Sequence, residues 1–551
     1  MNAHSIIPAA AALALAAGAA TAQYYQVELA TVDDEGSLSI DQTMDGGFVT
    51  AGWRKVADPT GIFNRDFYIA KHDKNGNFQW LRVWGGPDDD CAYSVRQTND
   101  GGYIVAGESL SFVPGLELIL LRLDPSGNTM WARAYPHIVS GDIIHAPHPG
   151  VSLDLLEPNE EIIVTGHVGG NPTLLFTDPM GLPFWQFQYF IPPVPDFEGP
   201  PFHAFTDVAF DQNERTAVVS GTVLYRLLQD PTPAPREDAI LMKVDPGGIP
   251  LWYFHYDWPF DRDTPDEPNV AEFGHGLDIA PDGFIYSAGR TDFGRPNWDD
   301  GVIMIVTDPG GVPFLTMRYQ PLEIDGRILR GYPGYASIEF DRRFWTPVVA
   351  GTIFDIDTFA PNAFLMLTDP MLMPFWVNAY GDTPASGPVW PTWGESVAIG
   401  DATCGWGLAG RAEHQAPPPF LGAGDNYLVK TEDNGVSGCL ERPIMMAPEM
   451  PGIERMLPVE PFPIFEFIDL PEPARPVMGQ QFVHCHYPTC YTGPCNLADL
   501  AQLWGVLDLS DVNAFISAFV NQTPAGDLNN DGIWDLSDIG LFISNFNAGC
   551  P

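Results

Sequence analysis

From residue 25 to about residue 440 the chain alternates short apolar stretches with turn-forming clusters, in two local patterns that recur one after the other. The first is an apolar run that closes on a small residue plus glycine, at Gly52, Gly107, Gly166, Gly221, Gly289, Gly351 and Gly410. Its best copies, Gln42 to Phe48 and Gln97 to Tyr103, read Gln-Thr-x-Asp-Gly-Gly-aromatic. The glycine pair supplies the positive φ that a tight hairpin between two strands requires. The second pattern is an alternating strand, then Asp-x-x-Gly, then a Trp seven residues after the Asp: Asp73/Trp80, Asp124/Trp131, Asp178/Trp185, Asp245/Trp252 and Asp369/Trp376. Asp308 has Leu315 in the Trp position, and Glu432 begins a seventh copy that lacks the aromatic. An Asp opening a turn caps backbone N–H groups, and the Trp is of a size to fill space between packed sheets. Both roles are structural, so these acids are not catalytic candidates.

Seven units of about sixty residues, each with four short strands, predict an all-β fold, a seven-bladed β-propeller with one four-stranded sheet per blade. The motifs Asp-Gly-Gly-Tyr-Ile-Val-Ala-Gly and Asp-x-x-Gly-x-x-x-Trp resemble the seven-bladed propeller repeats of secreted bacterial proteins, over about three quarters of the chain. That resemblance implies a fold and hardly any function. Tyr25 to Phe48 match Trp80 to Tyr103 at a constant offset of 55 residues, so the repeat begins with the outermost strand of a blade. The last unit runs out near Cys439 without such a strand. Tyr25 to Leu29 are therefore expected to complete the seventh blade and lock the ring, removing an open edge.

Residues 23–440 read as the propeller, and 441–494 as a Pro-rich segment, semi-rigid and extended. Phe462, Ile464, Phe465, Phe467 and Ile468 are too apolar to leave in water, so this segment is expected to lie against the propeller. In the last part, 495–551, Leu509 to Phe519 match Leu536 to Phe546 at an offset of 27 residues, each with an apolar helical stripe. Two short helices facing each other would bury both stripes. Before the second stands Asp527-Leu-Asn529-Asn-Asp531-Gly-Ile533-Trp-Asp535-Leu-Ser-Asp538. This EF-hand-type loop offers oxygen ligands from Asp527, Asn529, Asp531, Asp535 and Asp538 and the backbone carbonyl of Ile533, the hard-oxygen set that Ca2+ takes. Asp499, Asp508 and Asp511 form a weaker second set, for which a metal-free structural copy is expected, since Ala501 and Leu503 stand where ligands belong. The closing Asp in place of Glu, the paired motifs and the terminal Asn-Ala-Gly-Cys resemble the GC-type dockerin-like domain of planctomycete-like bacteria. Dockerins generally plug into a cohesin-type partner, so the resemblance implies anchoring to a scaffold or cell surface.

Composition narrows the class. Lys plus Arg total 26 against 71 Asp plus Glu, a formal charge of −45. This excludes a sequence-independent grip on nucleic acid. Residues 1–22 contain the Ala/Leu-rich stretch Ala9 to Ala17 and end in Ala20-Thr21-Ala22, so they read as a signal peptide although the n-region lacks Lys and Arg. No later segment is long and apolar enough to span a bilayer. The expected location is extracellular or at the cell surface. Seven cysteines suit an oxidising compartment, and the odd number leaves one unpaired, for which isolated Cys91 is the candidate. A Cys495 to Cys550 bridge would staple the small terminal module, a Cys404 to Cys439 bridge the closing blade, and Cys485 and Cys490 remain for disulfide use. Disulfides outweigh a zinc site at His484-Cys485-His486 with Cys490 in an exported chain.

His148 and His203 lie 18 residues before their blades' closing Gly, where Asp34 and Asp89 stand in the first two blades. Together they make a candidate ligand site at the channel mouth, weighed against ordinary polar residues at a blade's rim. The chain has no Gly-x-Ser-x-Gly elbow, no phosphate-cradling Gly-Lys-Ser/Thr loop and no His-Glu-x-x-His. The preferred reading is an exported, non-catalytic binding or attachment protein. Its rival is a dockerin-borne polysaccharide-degrading enzyme with a carboxylate pair at the channel mouth.

Overall fold

The structure, a computed structural model, describes residues 24–30, 33–57, 63–112, 115, 117–136, 151–168, 171–190, 202–225, 236–256, 271–292, 301–321, 323–324, 327–331, 336–355, 361–380, 392–399, 405–412, 424–433, 437, 441–443, 446–449, 455–456, 460–463, 468–470, 475–476, 480–487, 498, 500, 509–520, 523, 526, 528–529 and 533–548. Between 441 and 487 it describes the backbone alone. Among these residues the strands form seven antiparallel sheets, one per repeat unit, and each carries a fifth strand from 441–487 on its outer edge. The strands from Tyr24 to Tyr487 form an all-β, seven-bladed propeller. Blade 6 also carries a short hairpin, Glu323–Ile324 with Arg327–Gly331. Every blade-to-blade seam has its own apolar core; Ile69, Trp84, Val105 and Ile119 fill the one between blades 1 and 2.

The two sequence patterns are the two hairpins of a blade. Each closing glycine lies in the second strand, opposite the inner one. In several blades the inner strand has a bulge there, as between Ser37 and Ser39 and between Gly394 and Ser396. The bulge pushes a carbonyl onto the glycine: a Cβ on Gly52 would lie 1.9 Å from the Gly36 oxygen, and one on Gly410 would lie 1.8 Å from the Trp393 oxygen. The Asp turn joins the third and outer strands. Asp124 Oδ1 accepts the N–H groups of Ser126 and Asn128 at 2.9 and 2.8 Å, and Asp73, Asp178, Asp245, Asp308 and Asp369 repeat the arrangement. The sixth copy departs from the pattern, with Leu372 in place of Gly at φ 63°. Its side chain is fully buried in the core between blades 5 and 6, which offsets the cost of the left-handed backbone.

These turns also join the blades. A Cβ on Gly181 would lie 2.8 Å from the Trp131 ring of the preceding blade, and the Tyr135 hydroxyl donates to the Gly181 carbonyl at 2.5 Å. Trp185 Nε1 donates to the Pro246 carbonyl at 2.9 Å. The aromatic of one blade thus seats on the turn of the next.

Closure uses the same contact. Strand Tyr24–Ala30 pairs antiparallel with Asp425–Lys430 as the fourth strand of blade 7, with Tyr25 opposite Lys430 and Leu29 opposite Asn426. A Cβ on Gly76 in the first blade's turn would lie 2.8 Å from the Tyr25 ring. Tyr25 therefore stands where Trp80 stands one blade on, as the 55-residue offset predicts, and it supplies the aromatic missing after Glu432. The buried Gln26 receives the Tyr427 hydroxyl and donates to Ser437 Oγ at 2.6 Å.

The Pro-rich stretch reads in the sequence as a segment lying against the propeller; its described backbone is a belt. Glu441–Pro443 pairs with the outer strand of blade 6, Met446–Glu449 with blade 5, Arg455–Met456 with blade 4 and Glu460–Pro463 with blade 3. Ile468–Leu470 and Arg475–Pro476 follow on blades 2 and 1, and Gln480–Tyr487 pairs with Tyr24–Ala30. One pass of chain caps all seven outer edges in reverse blade order, and its longest strand lies across the closing strand. Proline suits this position because an edge strand needs N–H groups on one side only; alternating Pro461 and Pro463 leave both missing N–H groups on the same side.

Two outcomes are expected. Tyr25→Ala costs about 3–5 kcal/mol of propeller stability, read by denaturant unfolding. Truncation after residue 440 uncovers the outer edges, and light scattering then shows concentration-dependent association that the full chain lacks.

Candidate functional site

The central channel is lined by the inner strands, and the hairpin register sorts its residues into layers. Opposite the residue that precedes each closing glycine stand Ser39, Ser94, Asp207, Gly276, Ser337 and Ser396. Ser152 takes this place in blade 3, exchanging hydrogen bonds with Thr165. Two residues further along stand Asp41, Arg96, Asp154, Ala209, Asp278, Glu339 and Ala398. The first layer is mostly hydroxyl and the second is four acids, one arginine and two alanines.

Most of these groups are engaged. Ser39 Oγ accepts the Val95 N–H at 3.2 Å, Ser94 Oγ the Leu153 N–H at 3.2 Å, and Ser337 Oγ the Val397 N–H at 3.3 Å. Asp41 accepts from Gln97 N, Asp154 from Phe210 N and Asp278 from Phe340 N, each at 2.7 Å, and Asp207 accepts from Leu277 N at 2.8 Å. In each case a channel residue of one blade takes an N–H from the free edge of the next inner strand. Arg96 from blade 2 reaches toward Glu339 of blade 6, 4.0 Å away. The cavity there measures about 50 Å³ and is lined by Ser39, Ser94, Arg96, Ser152, Asp207 and Glu339 among others. That holds a few waters and is far below the volume of a sugar ring's binding pocket.

Burial raises the acids, and the Arg96 charge opposes it. Asp154 is pushed up to about 6; Asp41, Asp207 and Asp278 are raised, and Glu339 well above its ordinary value. Neighbouring acids add to burial at Glu339.

Among the described residues the sequence candidates for the channel mouth are each engaged with other partners. His203 is 1% exposed, with Nε2 at 3.0 Å from the Tyr189 carbonyl and Nδ1 at 3.3 Å from the Tyr253 hydroxyl, a histidine packed between sheets. Asp34 holds Arg411 at 2.9 Å and Asp89 holds Arg65 at 3.0 Å, both across blade seams. His148 lies outside the described residues. The signal that would have found Asp41, Arg96, Asp154 and Glu339 is inner-strand alignment on the Ser39, Ser94 and Ser152 positions.

In the tail, helices α1 (Leu509–Val520) and α2 (Leu536–Ala548) stack Phe515 on Phe542, centroids 4.3 Å apart, residues related by the 27-residue offset. Asp535 caps α2: its Oδ1 accepts the Ser537 N–H at 2.8 Å, and Asp538, fully buried, accepts the Asp535 N–H at 3.0 Å. Together they make a capping box. Asp538 also takes the Asn529 N–H at 3.2 Å, so Asn529, Asp535 and Asp538 gather at one helix end, while Ile533 is exposed. Asp527, Asp531, Asp499 and Asp508, the side chain of Asp511, and Cys404, Cys439, Cys490, Cys495 and Cys550 lie outside the described residues, as does the side chain of Cys485 in Gln480–Tyr487. Among the described residues no three His, Cys, Asp or Glu side chains stand ready to hold a metal ion. Cys91 is buried and free, its thiol pushed by burial up to about 12.

No family model and no curated protein matches this chain. Among solved structures it is similar to the periplasmic gluconolactonase of Pseudomonas aeruginosa, at 12% identity over 64% of this chain and 94% of that one, TM-score 0.35. It is also similar to an N-acetylgalactosamine deacetylase from F. plautii in complex with blood group B trisaccharide, at 11% identity over 57% of this chain and 94% of that one, TM-score 0.29. At such scores neither likeness bears on the activity of this chain.

The pH dependence of the channel follows from its acids. For Asp154 the folded value lies above the unfolded one, so the folded state binds more protons between about pH 4 and 6, and stability falls as pH rises through that window. Asp154→Asn keeps an acceptor for Phe210 and removes the charge. It is expected to raise stability at pH 8 by about 1–2 kcal/mol and leave it nearly unchanged at pH 4, in paired denaturant titrations.

Proposed function

We propose that this chain is an exported, non-catalytic binding or attachment protein, with the propeller as a recognition or scaffold surface and the tail as its anchor. One observation carries the reading: the channel acids are spent on the inner-strand edges and on Arg96, around a cavity of about 50 Å³. A glycosidase needs two carboxylates poised about 5–10 Å apart with a sugar between them. The described strand ends that lead from second to third strand and from outer to next inner strand all lie on one face, opposite the tight Asp turns. That face is the recognition surface, and carbohydrate is its candidate ligand class.

The tail donors suit a hard cation. Asp527, Asn529, Asp531, Asp535 and Asp538, with the Ile533 carbonyl, would hold Ca2+, and the ion would draw the acids into one loop before α2. A cohesin-like or cell-surface protein is the partner class for the loaded tail. Among the described residues no helix is long and apolar enough to cross a membrane.

Calorimetry of the full chain tests the division. EDTA is expected to lower the melting of the tail transition and leave the propeller transition in place; equal loss in both sinks the assignment. A glycan array with the full chain tests recognition. Turnover of any arrayed glycan would replace this reading with the enzymatic one.

A further inference from the structure

Near one end of each blade the register lines up one residue from each of the inner, second and third strands. The rows are Glu35, Arg54 and Asp66 in blade 1, and Asp90, Ser109 and Glu117 in blade 2. They are His203, Val223 and Asp238 in blade 4, and Thr392, Ala412 and Asp425 in blade 7. All four third strands carry an acid here. In blade 1 a base separates the two acids, with Arg54 Nε 3.5 Å from Glu35. In blade 4 Asp238 meets His255 Nδ1 and the Tyr225 hydroxyl. Blade 2 places two acids in one row with only a serine between them.

Asp90 and Glu117 are 1% and 2% exposed. Asp90 Oδ2 accepts the Gly86 N–H at 2.6 Å and the Ser111 hydroxyl at 2.8 Å. Asp90 Oδ1 and both Glu117 oxygens are buried with no partner in hydrogen-bonding geometry, and beside Asp90 the Ser109 hydroxyl favours the charged form. Asp66 closes on the pair from blade 1: a Cβ on Gly85 would lie 2.5 Å from Asp66 Oδ1 and 2.6 Å from Asp90 Oδ2. The surrounding charges do not neutralise them. Arg65 is held by Asp89 at 3.0 Å, Arg54 stands opposite Asp66 beside Glu35, and Glu108 is a further buried acid next to Ser109. The outer strand offers Pro136 opposite Glu117, and Cys91 follows Asp90 with its thiol intact. Two buried carboxylates without a counter-charge cannot both ionise cheaply.

We propose that the buried Asp90 and Glu117 each carry a proton in the folded protein below neutral pH, and that this row, with Asp66, makes the seam between blades 1 and 2 a pH-sensitive latch. Each proton supplies a donor that the unpartnered oxygens lack. Burial and then Asp90 push Glu117 up to about 7, while burial, with Asp66 adding, pushes Asp90 up to about 6. Folded values above unfolded ones mean that the folded state takes up protons between about pH 4 and 7. The latch is closed below that window and strained by like charges above it.

Infrared difference spectroscopy on the full chain reads the carboxylic acid directly. The expected result is a fall in acid carbonyl absorbance between pH 6 and pH 8, with one carboxyl's share of that fall missing in Glu117→Gln, while Glu108, pushed by burial up to about 8, and Glu339, raised well above its ordinary value, keep part of the band. The pH slope of the propeller melting temperature near pH 6.5 should correspond to about one proton fewer taken up on folding in that variant. Asp90→Asn gives the same loss should the Gln variant not fold, and the Asp154→Asn background keeps the Glu117 difference while removing the contribution of Asp154. Wild-type infrared and melting profiles in both folded variants would overturn the proposal. So would millimolar Ca2+ restoring the wild-type propeller melting at pH 8 to its pH 6 value with no effect in Glu117→Gln, because the missing partner would then be a cation.

Discussion

The whole ring answers one demand: the backbone N–H and C=O groups on the free edges of seven separate sheets must find partners. A radial blade has two such edges. At the inner edge the partner is a side chain of the neighbouring blade, as when Asp41 accepts from Gln97, Ser94 from Leu153 and Asp278 from Phe340. At the outer edge the partner is backbone, supplied in one lap by the belt from Glu441 to Tyr487. Channel acids and Pro-rich belt, which look unrelated in the sequence, meet the same requirement at opposite radii.

Between the edges the blades are held by a repeated aromatic contact. A turn glycine such as Gly127 leaves room for the Trp80 ring of the blade before it, and a Cβ there would lie 3.0 Å from that ring. Because the seventh unit has no aromatic of its own, closure depends on Tyr25, which arrives from the other end of the chain and seats on Gly76. The belt then lays its longest strand over the closing strand, so both are held at the seam that joins residues some four hundred positions apart.

The excess of acid is distributed among structural tasks. Asp73 and its equivalents cap turns, Asp154 and its equivalents cap inner edges, and Asp535 with Asp538 caps a helix. Lys71 and Arg122 each hold the hairpin acid of their own blade, Asp45 and Asp100. Where two acids share a row without a base, as Asp90 and Glu117 do across Ser109, buried charge is left without a basic partner. Reading one repeat against another isolates such a place better than burial alone.

The sequence alone determined the blade count, the two hairpins of each blade, the seating of Trp between sheets and the identity of the closing strand. These are local signals repeated at a fixed period, and a one-residue shift in register would turn every side chain to the wrong face. The paired tail helices were legible for the same reason, through the 27-residue offset that brings Phe515 onto Phe542. Tertiary structure alone decided what faces the channel, because a bulge resets the inner-strand register and brings Arg96 toward Glu339 across units with no sequence link. It also placed His203 in the core and Asp34 and Asp89 in ion pairs, since equal spacing from a glycine does not fix which way a side chain points. The belt was invisible to periodicity because strands of two to eight residues, many with proline, carry no alternation of their own. They become strands only when a finished outer edge offers them its hydrogen bonds.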